Sequence, residues 1–519
     1  MSLQALYEEA LGSHKRGDLA AAESLYRQVL AAAPASFAAR HMLGVLCAQQ
    51  GAIPEALDLL ATAVAQKPDA HDAQFNYGNV LKKAGRTEEA LAAYDRALER
   101  KPDYGAALAA RAEVLNMRGN RLRDAGLFGE ALACYQRALK DAPHYLDALN
   151  NRGVALWSMG RFEEALTDFD AALALKPDYV EAHYNRGNAL RDMLRLDEAT
   201  QSYDRAIAID PALARAYSNK GFCALLQRDF AEGFALYEWR KRLSPPIESR
   251  NYVQPLWTDR EDIRGKIVFV YIEQGLGDTI QFYRFVRPLL ERGAQVILSV
   301  QDGLLHLLES AIPRVALVDS KTVPAAFDYH IPLMSLPLAL GLNSDSILAT
   351  VPYLHVEPAR VAQWKGRIGE NGFKIGISWQ GGRAGVTSRA IPLTCFAGLS
   401  HLKDVRLISL QKGFGAEQLD ALPRVERLDE EFDGGPDAFL DSAAVMESLD
   451  LVITLDSALA HLAGALGRPV WVALKRVPDW RWFLERSDSP WYPSMRLFRQ
   501  RTEGDWSCVF AEMEAQIRA

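Results

Sequence analysis

The segment LDSALAHLAGALGRP, residues 455–469, brings an acid, a hydroxyl and an imidazole close together as Asp456, Ser457 and His461. It overlaps the apolar run LDLVITL, which is typical of a strand, and Ser457 has the position of a helix N-cap. The N–H groups of a first helical turn and the helix dipole favour a diphosphate. His461 lies one turn along and can donate to the same oxygens, whereas Asp456 suits a ribose or sugar hydroxyl. We therefore predict a diphosphate site at this turn.

A second turn with chemical potential is EQGLGDT, residues 273–279, which follows the apolar run KIVFVYI. Gly275 and Gly277 permit a tight turn with exposed backbone N–H groups, and Asp278 stands at the start of the next helix. A carboxylate there either accepts a proton from a hydroxyl or only caps the helix, and both interpretations stay open. A dinucleotide fingerprint needs a third glycine where this chain has Ile280, so the pattern argues against a dehydrogenase.

Two further turns carry polar and basic side chains after apolar runs. SWQGGRAGVTSRAIP follows FKIGI and offers Ser378, Gln380, Arg383 and Arg389 beside paired glycines. QKGFG follows VRLISL and offers Lys412. Each basic residue alone is more often solvated, but several at strand ends together favour an anionic ligand.

These turns need a scaffold that brings strand ends together. From residue 263 onward, short apolar runs alternate with helical patterns, which predicts parallel sheets with helices on both faces. We predict two doubly wound units at 263–358 and 359–519 that face a cleft, with a linker at 248–262. In such sheets, ligands collect at the carboxyl ends of the strands, where all four turns lie.

The motif DSALAHLAGALGRP resembles the donor-binding motif of the heptosyltransferase-like glycosyltransferases, which have the two-domain GT-B fold. The resemblance covers about residues 263–505 and is most specific at this motif, where Ser457 replaces a threonine. It implies an inverting, metal-independent transfer of a sugar from a nucleotide diphosphate, which is a co-substrate, and no other cofactor. GLGD is similar to the family's acceptor loop, which makes Asp278 the catalytic base. A family lysine falls near Arg389.

A tryptophan-rich segment departs from that family. PDWRWFLERSDSPWYP, residues 478–493, adds Trp480, Trp482 and Trp491 after the apolar run PVWVAL. Such a cluster is more often core than a sugar platform, and its place at a strand end keeps both interpretations open.

The first half of the chain is periodic. Its prolines recur every 34 residues with one interval of 41, at positions 34, 68, 102, 143, 177, 211 and 245. This period indicates a solenoid of helix pairs, and GRTEEALAAYDRALERKPDY resembles a tetratricopeptide repeat. We predict about seven repeats over residues 1–247, with small residues between paired helices. The extra seven residues predict a longer first helix in the fourth repeat.

One repeat position carries an asparagine in four repeats, at Asn76, Asn151, Asn185 and Asn219. An amide donates and accepts, so a row of them can bind a peptide backbone of any sequence. The row resembles the asparagine ladder of the O-GlcNAc transferase family. The alternative is that these amides only join neighbouring helices. The pair Asp168 and Asp170 lies inside a repeat helix and is expected to be solvated rather than to bind a metal.

Composition excludes several classes of protein. The chain has 519 residues, 49% of them hydrophobic and 24% charged, with a net charge of −7 that does not favour nucleic acid or anionic membranes. Its five cysteines lack CxxC spacing, which predicts neither disulfides nor a zinc site. We expect a cytoplasmic protein without membrane insertion.

Together these features predict a transferase that modifies Ser or Thr hydroxyls of a protein acceptor held by the repeats. A bacterial surface or flagellar protein is one such acceptor. Two alternatives stay open. The repeats are a protein-binding scaffold attached to a degenerate transferase domain, or the enzyme modifies a glycan or a lipid-linked sugar.

Overall fold

The computed structural model describes residues 2–243, 250, 252–309, 311–343, 347, 350–381, 390–435 and 439–519. The chain divides into two compact units, Met1–Pro211 and Ala212–Ala519. Six helix pairs make up the first unit. A seventh pair begins the second unit and is followed by the sheets, so this pair is grouped with the sheets although its sequence follows the repeat period.

The first unit confirms the solenoid of helices that the period predicts. Each repeat contributes two helices of similar length, and the short turns between them contain the left-handed residues that end a helix, such as Gly51 and Gly85. The helices are α1 (Leu3–Lys15), α2 (Leu19–Ala32), α3 (Phe37–Gln50), α4 (Ile53–Gln66), α5 (His71–Lys83), α6 (Thr87–Arg100), α7 (Gly105–Asp124), α8 (Phe128–Asp141), α9 (Leu146–Ser158), α10 (Phe162–Leu175), α11 (Val180–Asp192) and α12 (Leu196–Ile209).

Small residues allow the paired helices to approach closely. A Cβ atom added to Gly119 on α7 would lie 2.5 Å from the ring of Tyr135 on α8. Gly78 and Gly187 face Tyr94 and Tyr203 in the same way. The alanines at the matching position of the second helices are fully buried, at Ala56, Ala90, Ala131, Ala165 and Ala199.

The fourth repeat contains the longer helix that the 41-residue interval predicts. Helix α7 has 20 residues, compared with 14 in α6 and α8. The added turns continue the helix without a break, so the insertion lengthens one helix and leaves the pairing of α7 with α8 intact.

The second unit starts with α13 (Ala214–Leu226) and α14 (Phe230–Tyr237), which a short 3₁₀ helix at Glu238–Arg242 extends. Further described helices are α15 (Leu276–Phe282), α16 (Arg287–Glu291), α17 (Leu305–Glu309), α18 (Leu336–Ala339), α19 (Pro358–Ile368), α20 (Ala397–Ser400), α21 (Leu440–Glu447), α22 (Ala458–Ala465) and α23 (Ser507–Arg518). The strands are β1 (Ile267–Tyr271), β2 (Gln295–Val300), β3 (Val315–Asp319), β4 (Tyr329–Pro332), β5 (Phe373–Ile377), β6 (Val405–Ser409), β7 (Val425–Glu426), β8 (Leu451–Leu455), β9 (Val470–Leu474) and β10 (Met495–Arg499).

These strands form two sheets, of four and six strands, as the alternating pattern predicts. The strand orders are β3-β2-β1-β4 and β10-β9-β8-β5-β6-β7. Every pairing between these named strands is parallel. Strands β1 and β8 are interior strands, so the turns that follow them open at the carboxyl ends of their sheets, where ligands bind in such folds.

Burial explains why the apolar runs become strands. All five residues of β8 are buried, and its Leu451, Ile453 and Leu455 share one core with Ile375 and Ile377 of β5. A strand that is covered on both faces needs a continuous apolar run rather than an alternating one. Among the described residues, no helix combines the length and the apolar character that crossing a bilayer requires.

The prediction that Asp168 is solvated is wrong. Its carboxylate is buried and accepts two hydrogen bonds from Arg152, at 2.7 and 2.5 Å. Asp170 is exposed and instead accepts from Arg186 at 2.7 Å. The two acids therefore have different arginine partners.

Candidate active site

The turn after β8 is the first component of the candidate site. Ser457 has the extended backbone of an N-cap, with φ −149° and ψ 172°, and α22 begins at the next residue. Among the described residues, its hydroxyl makes no capping bond to the helix and lies 3.2 Å from the Thr454 hydroxyl. The first-turn N–H groups of α22 are therefore not capped by Ser457. Asp456 is half-buried at the same turn.

The turn after β1 is the second component. Gly275, not Asp278, is the N-cap of α15. Asp278 is the third residue of α15. Its Oδ2 accepts a hydrogen bond from the Gly275 backbone N–H at 2.9 Å. This is the carboxylate half of a capping box, which fixes the carboxylate relative to the turn. The other oxygen, Oδ1, points to a different partner.

Helices α15 and α22 lie against each other, and this contact brings the two turns together. A Cβ atom added to Gly277 would lie 2.9 Å from Cδ2 of His461 and 3.3 Å from Cα of Ala458. Only a glycine leaves room for so close an approach. The predicted residues Gly277, Asp278 and His461 are thus neighbours in space, although nearly two hundred residues separate them in the chain.

The partner of Asp278 is Arg481, which the sequence did not identify. Its guanidinium nitrogen lies 2.5 Å from Oδ1 of Asp278, and it also donates to Asp479 at 2.8 Å and to Gln281 at 2.7 Å. Arg481 is 6% exposed. Burial opposes its charge, but Asp479 and Asp278 outweigh burial and raise the pKa of Arg481 above its ordinary value. The signal was present in the sequence, because Arg481 stands between two of the noted tryptophans.

His461 is enclosed by aromatic side chains. It is 4% exposed, and its ring stacks on Trp482 with centroids 5.2 Å apart and planes at 23°. Its Nδ1 atom lies 3.0 Å from the hydroxyl of Tyr492. The imidazole is therefore held in one orientation by a stacking partner and a hydrogen bond.

The tryptophans form core, which was the first of the two interpretations. Trp480, Trp482 and Trp491 are at most 2% exposed. Helix α14 packs on this cluster through Phe230, whose ring centroid lies 6.1 Å from Trp491, and Phe234, which lies 5.6 Å from Trp480. Trp482 stacks on His461, so the tryptophan cluster packs directly against the candidate site.

The seventh helix pair also contacts the turn that holds Asp278. Arg240, in the middle of the 3₁₀ extension of α14, is 2.6 Å from Glu273, and both side chains are buried. Tyr237 accepts a hydrogen bond from Gln274 at 2.5 Å. Burial raises the pKa of Glu273. A charge pair buried in this way is costly to break, so it fixes the start of the turn.

Ser378 and Gln380 lie near β8 but are tied to a residue that the sequence did not single out. The Ser378 backbone N–H donates to Ile453 on β8 at 3.1 Å. The Gln411 side-chain oxygen accepts from the Ser378 hydroxyl at 3.1 Å and from the Gln380 backbone at 3.1 Å. The side-chain amide of Gln411 therefore holds the turn after β5 in place.

The predicted basic residues are only partly described. Lys412 is exposed, and its ammonium donates to the backbone carbonyls of Phe432 and, at 3.4 Å, Glu430. Arg383 and Arg389 lie outside the described residues. The described part of the chain contains no group of three or more His, Cys, Asp or Glu side chains that could hold a metal ion.

The asparagine row of the first unit joins neighbouring repeats. Asn185 donates to Asn150 at 2.9 Å, and Asn151 donates to Asn116 at 3.0 Å. Asn76 lies 2.9 Å from His41 of the preceding repeat. These amides are half-buried and each serves a repeat contact, while Asn219 lies on α13 in the second unit. The contacts match the alternative interpretation of the row and leave its use in peptide binding as a prediction.

Family models match parts of both halves of the chain. Residues 54–105, 75–120, 116–180 and 152–214 match a family described as tetratricopeptide repeat, and residues 13–77 match another family of that description. Residues 434–474 match glycosyltransferase family 9 (heptosyltransferase). The latter segment contains β8, Asp456, Ser457 and α22 with His461.

Comparison with individual proteins gives a partial relative and several repeat proteins. Protein FlbA of Caulobacter vibrioides is 27% identical over 319 residues, which cover 55% of this chain and 52% of FlbA. The chain thus spans about half the length of this curated relative. The TPR protein YrrB, whose structure shows an unusual peptide-binding site, is 22% identical with a TM-score of 0.31, over 37% of this chain and 95% of YrrB. The first TPR of Spaghetti (RPAP3), bound to an HSP90 peptide, is 28% identical with a TM-score of 0.22, over 22% and 92% of the two chains.

The similarities and the fold agree on the general organisation of the chain. Tetratricopeptide repeats form a helical solenoid, and an α/β region with parallel sheets follows, in which the segment around α22 matches a glycosyltransferase family.

Proposed function

We propose that this protein is an inverting, metal-independent glycosyltransferase that uses a nucleotide-sugar donor and modifies hydroxyls of a protein held by its repeats. One observation carries the proposal. The segment that matches a glycosyltransferase family contains β8, then Asp456 and Ser457, and then α22, and this helix touches the turn that holds Asp278. Donor and acceptor groups would meet where the two turns meet.

The N-terminus of α22 is the proposed site of the donor diphosphate. Its first-turn N–H groups and the helix dipole provide positive potential without a metal ion. Asp456, at the same turn, is placed to accept a hydrogen bond from a hydroxyl of the ribose or sugar. His461 adds a hydrogen bond to the phosphate oxygens as negative charge develops on the leaving diphosphate.

Asp278 is the proposed general base. It takes the proton of the acceptor hydroxyl while the acceptor oxygen bonds to the anomeric carbon of the sugar. The bond from that carbon to the diphosphate breaks, and the nucleoside diphosphate leaves with the electron pair. Attack opposite to the leaving group inverts the configuration at the anomeric carbon.

The surroundings of Asp278 are compatible with this role. A carboxylate offers about four lone-pair positions, and the described bonds to Gly275 and Arg481 occupy two of them. The Asp278 side chain is 24% exposed, so an incoming hydroxyl can reach it. Arg481 holds the carboxylate in place, and we assign it a positioning role.

The repeats support a protein as the acceptor. Tetratricopeptide repeats generally bind peptides or proteins, and half-buried amides recur at one repeat position, at Asn76, Asn151 and Asn185. We propose that they bind an extended segment of the acceptor, with Ser or Thr as the modified residue. A bacterial surface or flagellar protein remains our proposed acceptor.

A second candidate function is a protein-binding scaffold whose α/β region no longer transfers sugar. Two observations favour it: His461 is almost fully buried, and Asp278 is paired with a buried arginine. This candidate predicts no nucleotide binding, so it is separable from the first by experiment.

The proposal is tested by incubating the full chain with a panel of nucleotide sugars and proteins of the cell that expresses it. We expect one donor to raise the melting temperature of the chain and to add the mass of one sugar to a protein. If a donor stabilises the chain but the modified product is a glycan or a lipid-linked sugar instead of a protein, the acceptor is not a protein. No stabilisation by any nucleotide and no transfer would support the scaffold.

The role of the repeats is tested with Asn151, Asn185 and Asn219 changed together to Ala. We expect modification of the whole acceptor protein to fall at least tenfold, because several backbone contacts are lost, while a short free acceptor is modified normally. Asn79 and Asn120 provide the matched control, since each accepts a tyrosine hydroxyl inside its own repeat. Equal losses with both acceptors would refute peptide binding by the row.

A further inference from the structure

A buried tyrosine hydroxyl contacts His461, and we infer that it fixes which ring nitrogen carries the proton. Tyr492 donates its hydroxyl hydrogen to Nδ1 of His461, so the imidazole proton is on Nε2. Tyr492 is thus a positioning residue that makes His461 a hydrogen-bond donor toward a diphosphate. The ligand class rests on the proposed function, whereas the tautomer rests on the hydrogen bonds alone.

The first step concerns Tyr353, which has one hydroxyl hydrogen to give. Its hydroxyl lies 2.9 Å from the backbone carbonyl oxygen of Ile280. A carbonyl oxygen only accepts, so the Tyr353 hydrogen is committed to this bond. Arg284 donates to the same hydroxyl at 3.2 Å, which is consistent because the oxygen still has lone pairs. Tyr353 can therefore only accept from its remaining neighbour.

That neighbour is Tyr492, whose hydroxyl has two possible acceptors within the described part of the chain. The oxygen of Tyr353 is 3.4 Å away, and Nδ1 of His461 is 3.0 Å away. Hydroxyl-to-oxygen bonds are usually about 2.7–2.8 Å long, so the contact with Tyr353 is poor and the contact with Nδ1 is the better bond. The hydroxyl hydrogen of Tyr492 therefore goes to Nδ1.

Arg284 supports this direction. Its guanidinium shares a hydrogen bond with the Tyr492 hydroxyl and lies 4.7 Å from the centre of that ring. Arginine only donates, so Tyr492 accepts from it and keeps its own hydrogen for another partner. Burial also raises the pKa of Tyr492, so the phenol keeps its hydrogen at neutral pH.

The tautomer has a consequence for the candidate site. When Nδ1 accepts, the proton of a neutral imidazole must be on Nε2. Cδ2, the ring atom bonded to Nε2, faces Gly277, because a Cβ there would be 2.9 Å from it. The edge of the imidazole ring that carries the proton therefore faces the turn that holds Asp278. Trp482 holds the ring in this plane by stacking.

The direct test is a ¹⁵N spectrum of the full chain with labelled histidines. We expect Nδ1 of His461 to resonate as an unprotonated acceptor and Nε2 as a protonated nitrogen at about pH 8, above the ordinary imidazole pKa. His461→Gln identifies the signals by their loss. A protonated Nδ1 in the unaltered protein would overturn the inference, and this result needs no variant that folds.

Two variants with matched chemistry sharpen the test. Tyr492→Phe removes the donor to Nδ1, so we expect both His461 signals to shift toward the other tautomer or a mixture. Tyr353→Phe removes a hydroxyl of the same buried group but leaves the donor, so we expect the tautomer to persist. Unchanged signals in Tyr492→Phe, or a change in Tyr353→Phe as large as in Tyr492→Phe, would overturn the inference.

Binding of inorganic pyrophosphate separates this inference from the proposed function. We expect Tyr492→Phe to weaken pyrophosphate binding about tenfold, as the loss of one hydrogen bond to a charged group does, and Tyr353→Phe to have little effect. If the spectrum shows the Nε2 proton but pyrophosphate does not bind the unaltered chain, the tautomer stands and the donor site of the proposed function fails. If pyrophosphate binds equally to the unaltered chain and Tyr492→Phe, the donor role of Nε2 is overturned.

Discussion

The two compact units satisfy their polar side chains in different ways. In the first unit, a tyrosine on the second helix of a repeat donates to an asparagine on the first, and the bond recurs in Tyr94 with Asn79 and Tyr135 with Asn120 at 2.8 and 2.7 Å. In the second unit, buried arginines such as Arg481 join acids, amides and carbonyls that share no period. Repetition stabilises one unit, and single networks organise the other.

This difference determines how much one substitution costs. A repeat protein spreads its stability over similar contacts between neighbours, so the loss of one contact has a limited effect. A buried charge network has no duplicate, and the loss of one member leaves the others without a partner. The predictions below measure this difference from the largest expected effect to the smallest.

We expect Arg481→Met to cost about 2–4 kcal/mol in the free energy of unfolding of the second unit. The change removes the charge that Asp278 and Asp479 share. The value is below the full range for a buried pair because these carboxylates remain 24% and 17% exposed. Urea unfolding followed by tryptophan fluorescence measures it, since Trp157 is the only tryptophan of the sequence before residue 212. A cost below about 1 kcal/mol would show that this network does not organise the unit.

We expect Gly119→Ala to destabilise the first unit by about 1–3 kcal/mol, because its methyl group would overlap the Tyr135 ring. Circular dichroism of the helices during thermal unfolding measures the change. Gly105→Ala is the matched control on the same helix, because nothing lies within 4 Å of a Cβ at that position. It is expected to be neutral or slightly stabilising, as alanine favours a helix more than glycine does. If both variants behave alike, close packing is not the reason for glycine at position 119.

We expect Asn185→Ala to cost about 1 kcal/mol, the net value of the hydrogen bond to Asn150. The same circular dichroism experiment measures it. An unchanged melting temperature would show that this amide serves no repeat contact in solution and would strengthen its proposed use in peptide binding.

The smallest effect is expected for Arg161→Ala, whose free energy of unfolding should hardly differ from that of the unaltered protein because water and salt screen an exposed pair. Arg161 pairs with Glu164 on the surface, where both side chains are well exposed. The comparison with Arg481→Met isolates burial, since each variant removes one arginine from an ion pair. A cost close to that of Arg481→Met would contradict the difference between the units.

The sequence predicted the periodic unit in more detail than the other. The interval of 41 residues was enough to predict the longer α7, because one inserted segment stands out against a constant period. The exception was Asp168, which is buried by Arg152. Arg152 lies on α9, the other helix of the same pair, and the helical period of α10 alone does not show that contact.

In the second unit, the apolar runs predicted most central strands, including β1, β5 and β8. The strands β4 and β10 were not predicted, because YHIP is only four residues long and MRLFR carries two arginines. Both lie at the edge of their sheets, where less burial is required. The turns with Asp278 and Ser457 were identified from local spacing, whereas Arg481 and Tyr492 were not, since their contacts with Asp278 and His461 join segments that are distant in the sequence.

The central claim is that Asp278 takes a proton at a site where α22 holds the donor. Sugar transfer by Asp278→Asn tests it most directly, with Asp302→Asn as the control, since Asp302 is an exposed acid that follows β2 in the same sheet. Loss of a general base costs about 10²–10⁴-fold in rate, so we predict that loss for Asp278→Asn with nucleotide-induced stabilisation retained, and full activity for Asp302→Asn. Transfer by Asp278→Asn at the rate of the unaltered protein would contradict the account.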